Sequence, residues 1–135
     1  MRPSKTIVLC FGTFDGLHDG HRFFLREAGK LGDSLIVIVA RDETVTELKH
    51  RTVRLTLAER MAAIVEEFPK ASVVAGDRVQ GSWKVLQTYT PQIIALGHDQ
   101  DALGSALNSV VTTAQNSFLV YRVPLRVEHS DAFRE

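Results

Sequence analysis

Five short apolar runs, rich in valine and isoleucine, set the strongest limit on how this chain folds: TIVLCF (6–11), SLIVIVA (34–40), SVVAG (72–76), QIIALG (92–97) and FLVYRV (118–123). They run apolar instead of alternating with polar residues, so each reads as a strand covered on both faces, the environment of a parallel sheet. A parallel neighbour is reached only by a crossover, and helical patterns lie between the runs. The clearest is TLAERMAAIVEEF, where Leu57, Met61, Ile64, Val65 and Phe68 share a face, Thr56 and Glu59 form a capping box, and Pro69 ends the helix. A second helix is predicted over residues 20–30, burying some of Phe24, Leu25, Ala28 and Leu31, with Gly32 just past its end. Weaker helical signals fall at 82–89, before Pro91, and at about 101–115. The expectation is an α/β fold: a single Rossmann-like doubly wound domain over residues 1–135, with a mainly parallel five-stranded sheet.

Bulk properties narrow the function classes. Lys plus Arg equals Asp plus Glu at 16 each, so no charge excess points to nucleic acid or an anionic membrane as partner. Cys10 is the single cysteine and lies within the first apolar run, which excludes an internal disulfide and fits a reducing cytosol. The longest unbroken apolar stretch, LIVIVA (35–40), has a strand's length and not a membrane span's. MRPSK followed by TIVLCF imitates a signal peptide only faintly, because the apolar part is short and no cleavage-like site follows. A soluble, cytoplasmic protein is expected.

In a doubly wound sheet, ligands bind beyond the carboxyl ends of the strands. That rule gathers three polar segments on one edge: GTFDGLHDGH (12–21), RDETVTELKHR (41–51) and GHDQD (97–101). The first is a strand, a glycine-bearing turn and a helix start, an arrangement whose free backbone N–H groups and dipole favour a phosphate. Gly12, Gly16 and Gly20 permit close backbone approach there. The segment is neither G-x-G-x-x-G nor a P-loop. It carries His18 and His21 instead, one helical turn apart, which can present two ring N–H donors to a phosphate chain. Phosphoryl and nucleotidyl transfer depend on positioning and on neutralising charge that develops on the phosphate oxygens, and paired donors suit that task. An H-x-x-H pair also occurs in structural and metal-binding settings, but His50, His98 and His129 supply no zinc-like cluster around it.

GTFDGLHDGH resembles the G-T-F-D-x-x-H-x-G-H signature of the cytidylyltransferase-like nucleotidyltransferases, a family that includes glycerol-3-phosphate cytidylyltransferases and archaeal-type FAD synthases. The likeness covers most of the chain: LGDSLIVIVARDETV, LAERMAAI and PQIIALGHDQ are similar to later segments of that family, and VARDETV and IALGHDQ lean toward the FAD synthase branch. The resemblance implies a nucleotidyltransferase that moves NMP from an NTP, ATP or CTP, to a phosphomonoester and releases pyrophosphate. His18, His21 and Lys49 would be catalytic. Gly12, Thr13, Phe14, Gly20, Arg60, Asp99 and Ser130 would bind the nucleotide. Mg²⁺ would arrive on the NTP, with no metal site of the protein's own. The favoured acceptor is FMN with adenylyl transfer; glycerol 3-phosphate or another small phosphomonoester with CTP is the alternative, and a catalytically inactive nucleotide-binding module is the rival from another class. A homodimer is left open. A tRNA-charging enzyme is excluded by length and by the lack of a K-M-S-K-S-like loop.

The chain departs from the family at its tail. The cytidylyltransferases carry R-T-x-G-I-S after the fifth strand, whereas YRVPLRVEHSDAFRE has Ser130 as its one serine or threonine, with Arg122 or Arg126 as nearby charge. Other residues keep two readings. Lys49, Arg51 and Arg54 are a solvated basic loop or a phosphate clamp, and Arg60 lies in a surface ion pair or in the site. Asp42 assists Mg²⁺ or caps the segment after the second strand, and Trp83 packs the fourth helix in preference to stacking on a base.

Overall fold

A computed structural model describes residues 5–50, 52–79, 81–113 and 118–124, with the side chains of residues 48, 49 and 111–113 outside the description. The five apolar runs form β1 (Ile7–Gly12), β2 (Ser34–Val39), β3 (Ser72–Ala75), β4 (Ile93–Leu96) and β5 (Leu119–Arg122). They make one sheet in the order β3-β2-β1-β4-β5, and every pairing is parallel. The expected doubly wound α/β architecture is therefore present.

Helices cover both faces, which is why the strands carry apolar residues at successive positions. Val8, Cys10 and Val37 point to one side, where Leu25 and Ala28 of α1 (Asp19–Gly29) and Ile64 of α3 (Leu57–Glu67) close the core. Leu9, Ile36 and Ile38 point to the other, against Val85 and Leu86 of α4 (Lys84–Tyr89) and Leu107 of α5 (Asp101–Thr113). Cys10 is wholly buried, and burial pushes its thiol far up, so it packs as an inert side chain. Trp83 precedes α4 and meets Phe11 edge-on with ring centroids 6.2 Å apart, in keeping with a packing role.

The capping box of α3 is made in both directions: the Glu59 N–H donates to Thr56 Oγ1 at 3.2 Å and the Thr56 N–H donates to Glu59 Oε1 at 2.9 Å. The buried face of this helix differs from expectation. Val65 is 49 % exposed, and the buried positions are Ile64 and, four residues earlier, Arg60. Truncating the fully buried Ile64 to alanine would cost about 2–5 kcal/mol. The segment 41–51 also differs, because most of it is a helix, α2 (Asp42–Lys49), pinned by the buried Val45, with Asp42 and Glu43 in its first turn complementing the dipole. Among the described residues no helix is long and apolar enough to cross a membrane.

β1 continues to β2 on one side and has β4 on its other side, so the strand order reverses between β1 and β4. The crevice beyond their carboxyl ends is the position where such sheets take ligands.

Candidate active site

The turn that leaves β1 is fixed from beneath. Phe14 adopts a left-handed backbone (φ 53°), and its ring is buried under Gly12, where a Cβ would come within 2.5 Å of the ring. The Asp15 carboxylate accepts the backbone N–H groups of Arg54 and Leu55, each at 2.9 Å, which ties the turn to the segment before α3. Gly16 lies at φ 98°, a conformation that side-chain-bearing residues avoid, and a Cβ there would also meet the Arg54 guanidinium at 2.7 Å.

α1 then opens on a capping box made of two histidines. His18 is the N-cap: its Nδ1 accepts the N–H of Gly20 at 3.0 Å and of His21 at 3.3 Å. His21 returns the bond, its Nδ1 accepting the His18 N–H at 3.4 Å. The rings stack with centroids 3.7 Å apart and 20° between planes, and Phe14 supports His21 edge-on at 5.3 Å. Gly20 is required because a Cβ would lie 2.9 Å from His18 Cε1. A nitrogen that accepts cannot carry the proton, so in this network the neutral tautomer of each ring has its proton on Nε2. Burial, and next the neighbouring His18, hold the His21 pKa below the ordinary imidazole value, while the Gly16 backbone and the Asp99 charge oppose this and Arg22 reinforces it. Two imidazole N–H donors thus stand beside the positive end of a helix, over the strand-order reversal.

Asp99 lies on the loop after β4, exposed and close enough for its charge to act on His21. That loop is strapped by residues whose role sequence reasoning missed. Gln100 donates from Nε2 to the Phe11 carbonyl at 3.0 Å and accepts the Gly97 N–H at 2.8 Å, which joins the ends of β1 and β4. Arg122 donates to the carbonyls of Gly97 (3.0 Å) and His98 (3.2 Å) and pairs with Asp101 at 3.0 Å.

The structure places Arg60 otherwise than expected. Its side chain has no solvent exposure, and its donors go to protein: Nε to Leu55 O (3.1 Å), Nη1 to Thr13 O (2.9 Å) and Ala40 O (2.7 Å), and Nη2 to Asp42 Oδ1. It is a bracket beneath the turn after β1, with its donors spent on protein groups. Asp42 is its counter-ion. The Phe14 ring is 4 % exposed, which leaves its backbone as the part that can meet a nucleotide. Gly12, Thr13, His18, Gly20, His21 and Asp99 all lie on the turn, helix start and strand end that meet at the crevice. Lys49 is the last residue of α2, with its side chain outside the described set, and Ser130, Arg51 and Arg126 lie outside the described residues. Among the described residues no three His, Cys, Asp or Glu side chains gather to hold a metal ion. The Nδ1 atoms of the histidine pair are already committed to backbone N–H groups.

An all-parallel doubly wound sheet with two imidazole donors at a helix start over its switch point is a Rossmann-like arrangement of the nucleotidyltransferase kind. The chain belongs to the cytidylyltransferase-like family, whose model matches residues 9–127, and it is a nucleotidyltransferase similar to FAD synthases. The FAD synthase of Thermococcus sibiricus is 37 % identical over 123 residues, covering 91 % of this chain and 83 % of that protein. The FAD synthase of Aciduliprofundum boonei is 45 % identical over 94 residues, 69 % of this chain and 61 % of that protein. Among solved structures, the lipopolysaccharide core biosynthesis protein of Thermoplasma volcanium GSS1 superimposes with a TM-score of 0.83 at 30 % identity, covering 92 % of this chain and all of that one.

Proposed function

We propose that residues 1–135 act as one nucleotidyltransferase domain that transfers AMP from ATP to FMN, forming FAD and pyrophosphate. The observation that carries this reading is the reciprocal capping of His18 and His21, which occupies both Nδ1 atoms and sets the orientation of both rings before substrate arrives. The FMN phosphate oxygen attacks the α-phosphorus in line, and the bond to the β-phosphate oxygen breaks as pyrophosphate leaves. The acceptor oxygen is already anionic, so no protein nucleophile is needed, and alignment with charge stabilisation is the enzyme's contribution. His18 and His21 donate to the α- and β-phosphate oxygens as charge moves onto the leaving group. Lys49 adds positive charge from the end of α2. The backbone of Gly12, Thr13 and Gly20 lines the phosphates and Asp99 meets the ribose or base side.

Mg²⁺ enters on the triphosphate, where it supplies positive charge to the phosphate oxygens, and the chain's carboxylates fit that division because they form no cage among the described residues. ATP as donor and FMN as acceptor are supported by the likeness to FAD synthases at 36–45 % identity. The test is incubation of the protein and Mg²⁺ with ATP or CTP and either FMN or glycerol 3-phosphate, with products read by mass. FAD is the expected product. CDP-glycerol without any flavin dinucleotide would overturn the acceptor, and no product with any phosphomonoester would favour the inactive nucleotide-binding module.

A further inference from the structure

At the carboxyl end of β3 the chain leaves the sheet through Gly76 and shapes a cavity of about 320 Å³ lined by Arg41, Asp77, Arg78, Val79, Ser82 and Lys84. Its charge is uneven, three cations to one carboxylate, and the Asp77 carboxylate faces the Val85 backbone N–H at 3.4 Å. Arg41 is held by its Nε–H donating to the Gly76 carbonyl at 2.8 Å, and its terminal nitrogens have no partner among the described residues. Arg78 and Lys84 are exposed and pair with no carboxylate among the described residues. The Ser82 hydroxyl is buried without a hydrogen-bond partner among the described residues, and Val79, 64 % exposed, gives the rim an apolar edge. Unused guanidinium and ammonium donors, a hydroxyl unsatisfied among the described residues and an apolar lip surround one volume.

The position of the cavity says which part of a substrate it meets. Gly76 N–H donates to Val39 O and Ala40 N–H donates to Gly12 O, both at 2.9 Å, so the ends of β3, β2 and β1 are laced side by side. The cavity therefore lies about two strand spacings, roughly 10 Å, from the strand that carries the histidine turn. The acceptor's attacking phosphate has to be at the histidines, so the cavity receives the acceptor's far end. A three-carbon polyol phosphate is too short to reach it. FMN, with a planar ring system beyond a five-carbon chain, spans the gap. The pyrimidine edge of that ring is uncharged but rich in carbonyl and ring-nitrogen acceptors, which suits guanidinium and ammonium donors, while its hydrocarbon edge suits an apolar rim.

We propose that the cavity between Arg41, Arg78, Ser82 and Lys84 binds the isoalloxazine ring of the acceptor and selects FMN over short phosphomonoesters. This inference rests on the FMN reading above. Riboflavin, which has the ring and the chain but no phosphate, is the probe: its fluorescence is titrated with the whole protein, beside KM values for FMN and ATP. Wild type is expected to bind riboflavin. Arg78→Ala with Lys84→Ala should raise the riboflavin Kd and the FMN KM by about tenfold or more with the ATP KM unchanged, and charge reversal to glutamate at both should raise them further. Both side chains are exposed, so folding is not at stake. FAD formation by wild type together with unaltered riboflavin binding and FMN KM in the variants would overturn the ring site alone. Failure of wild type to make FAD would overturn the FMN reading and the ring site with it.

Discussion

Arg60→Met removes the bracket beneath the active-site turn while keeping most of the side-chain volume. Three carbonyl oxygens, of Leu55, Thr13 and Ala40, lose their donor, and Asp42 loses its counter-ion. Orphaned buried acceptors cost about 1–3 kcal/mol each, but a carbonyl has other ways to be satisfied and Asp42, whose side chain is 46 % exposed, regains water. A total of about 3–5 kcal/mol follows, nearly all of it from the three carbonyls and little from Asp42. In a chain of this length that corresponds to a fall in Tm of roughly 10–20 °C, read by calorimetry or circular dichroism. Below that temperature the folded variant should lose kcat more than it raises the ATP KM, because Thr13 and Ala40 are no longer held in register with the histidines. Arg60→Lys should recover only part of the loss, since a single ammonium cannot reach four acceptors that a planar fork reaches. An Arg60→Met protein with Tm within about 2 °C of wild type and a raised ATP KM at unchanged kcat would refute the bracket and return Arg60 to the phosphates.

His18 separates folding from catalysis: Asn is a good N-cap, so His18→Asn should keep Tm near wild type, His18→Ala should lose about 1 kcal/mol, and both should lose about 10² or more in kcat. Near wild-type turnover by His18→Asn would remove the ring from the mechanism. Gly20→Ala puts a methyl group 2.9 Å from His18 Cε1, and the displaced ring should cost about 1–3 kcal/mol in a denaturant titration together with most of the activity. The folded pKa of His21 is depressed below its unfolded value near 6.5, so its stabilisation is fully present above about pH 6.5 and is lost as pH falls through the folded value. Protonation at Nδ1 also breaks its bond from the His18 N–H, so Tm and kcat should both be level above neutrality and decline in acid, and a His21→Gln protein with the same acid decline in Tm would count against this assignment.

The sheet was legible because apolar runs at successive positions have one reading when helices alternate with them, and the Thr56–Glu59 box marked α3 directly. α2 was not, because its DETVTELK sequence has no side-chain cap at its start and an apolar pattern too short to define a face, and a helix that short is held by tertiary contact, here through the buried Val45, instead of by its own pattern. The histidine turn was legible as a helix start after the first strand. Its internal bonding was not, since nothing in H-x-x-H tells which ring nitrogen is occupied. Arg60 had a signal that went unused: it stands three residues after Leu57 and four before Ile64, on the very face that the apolar residues define. A cation there has to find carbonyls, and the strand ends supply them. Gln100 and Arg122 carried no such mark, because the bonds by which they tie β4 to its neighbours go to backbone carbonyls distant in sequence, Phe11 for the first and Gly97 for the second.

The reciprocal bonding of His18 and His21 makes the chain unevenly tolerant of change. The atoms that start α1 belong to the same rings that we propose act on the phosphates, so on that proposal a substitution at either position strikes the folding equilibrium and the chemical step together, and compensation elsewhere can restore only the first. The rim at the end of β3 is under no such double constraint: Arg78 and Lys84 are exposed and bonded to nothing that holds the sheet among the described residues. Laboratory evolution toward a new acceptor should therefore accumulate its substitutions on that rim and leave the histidine turn untouched, with stability nearly constant along the route.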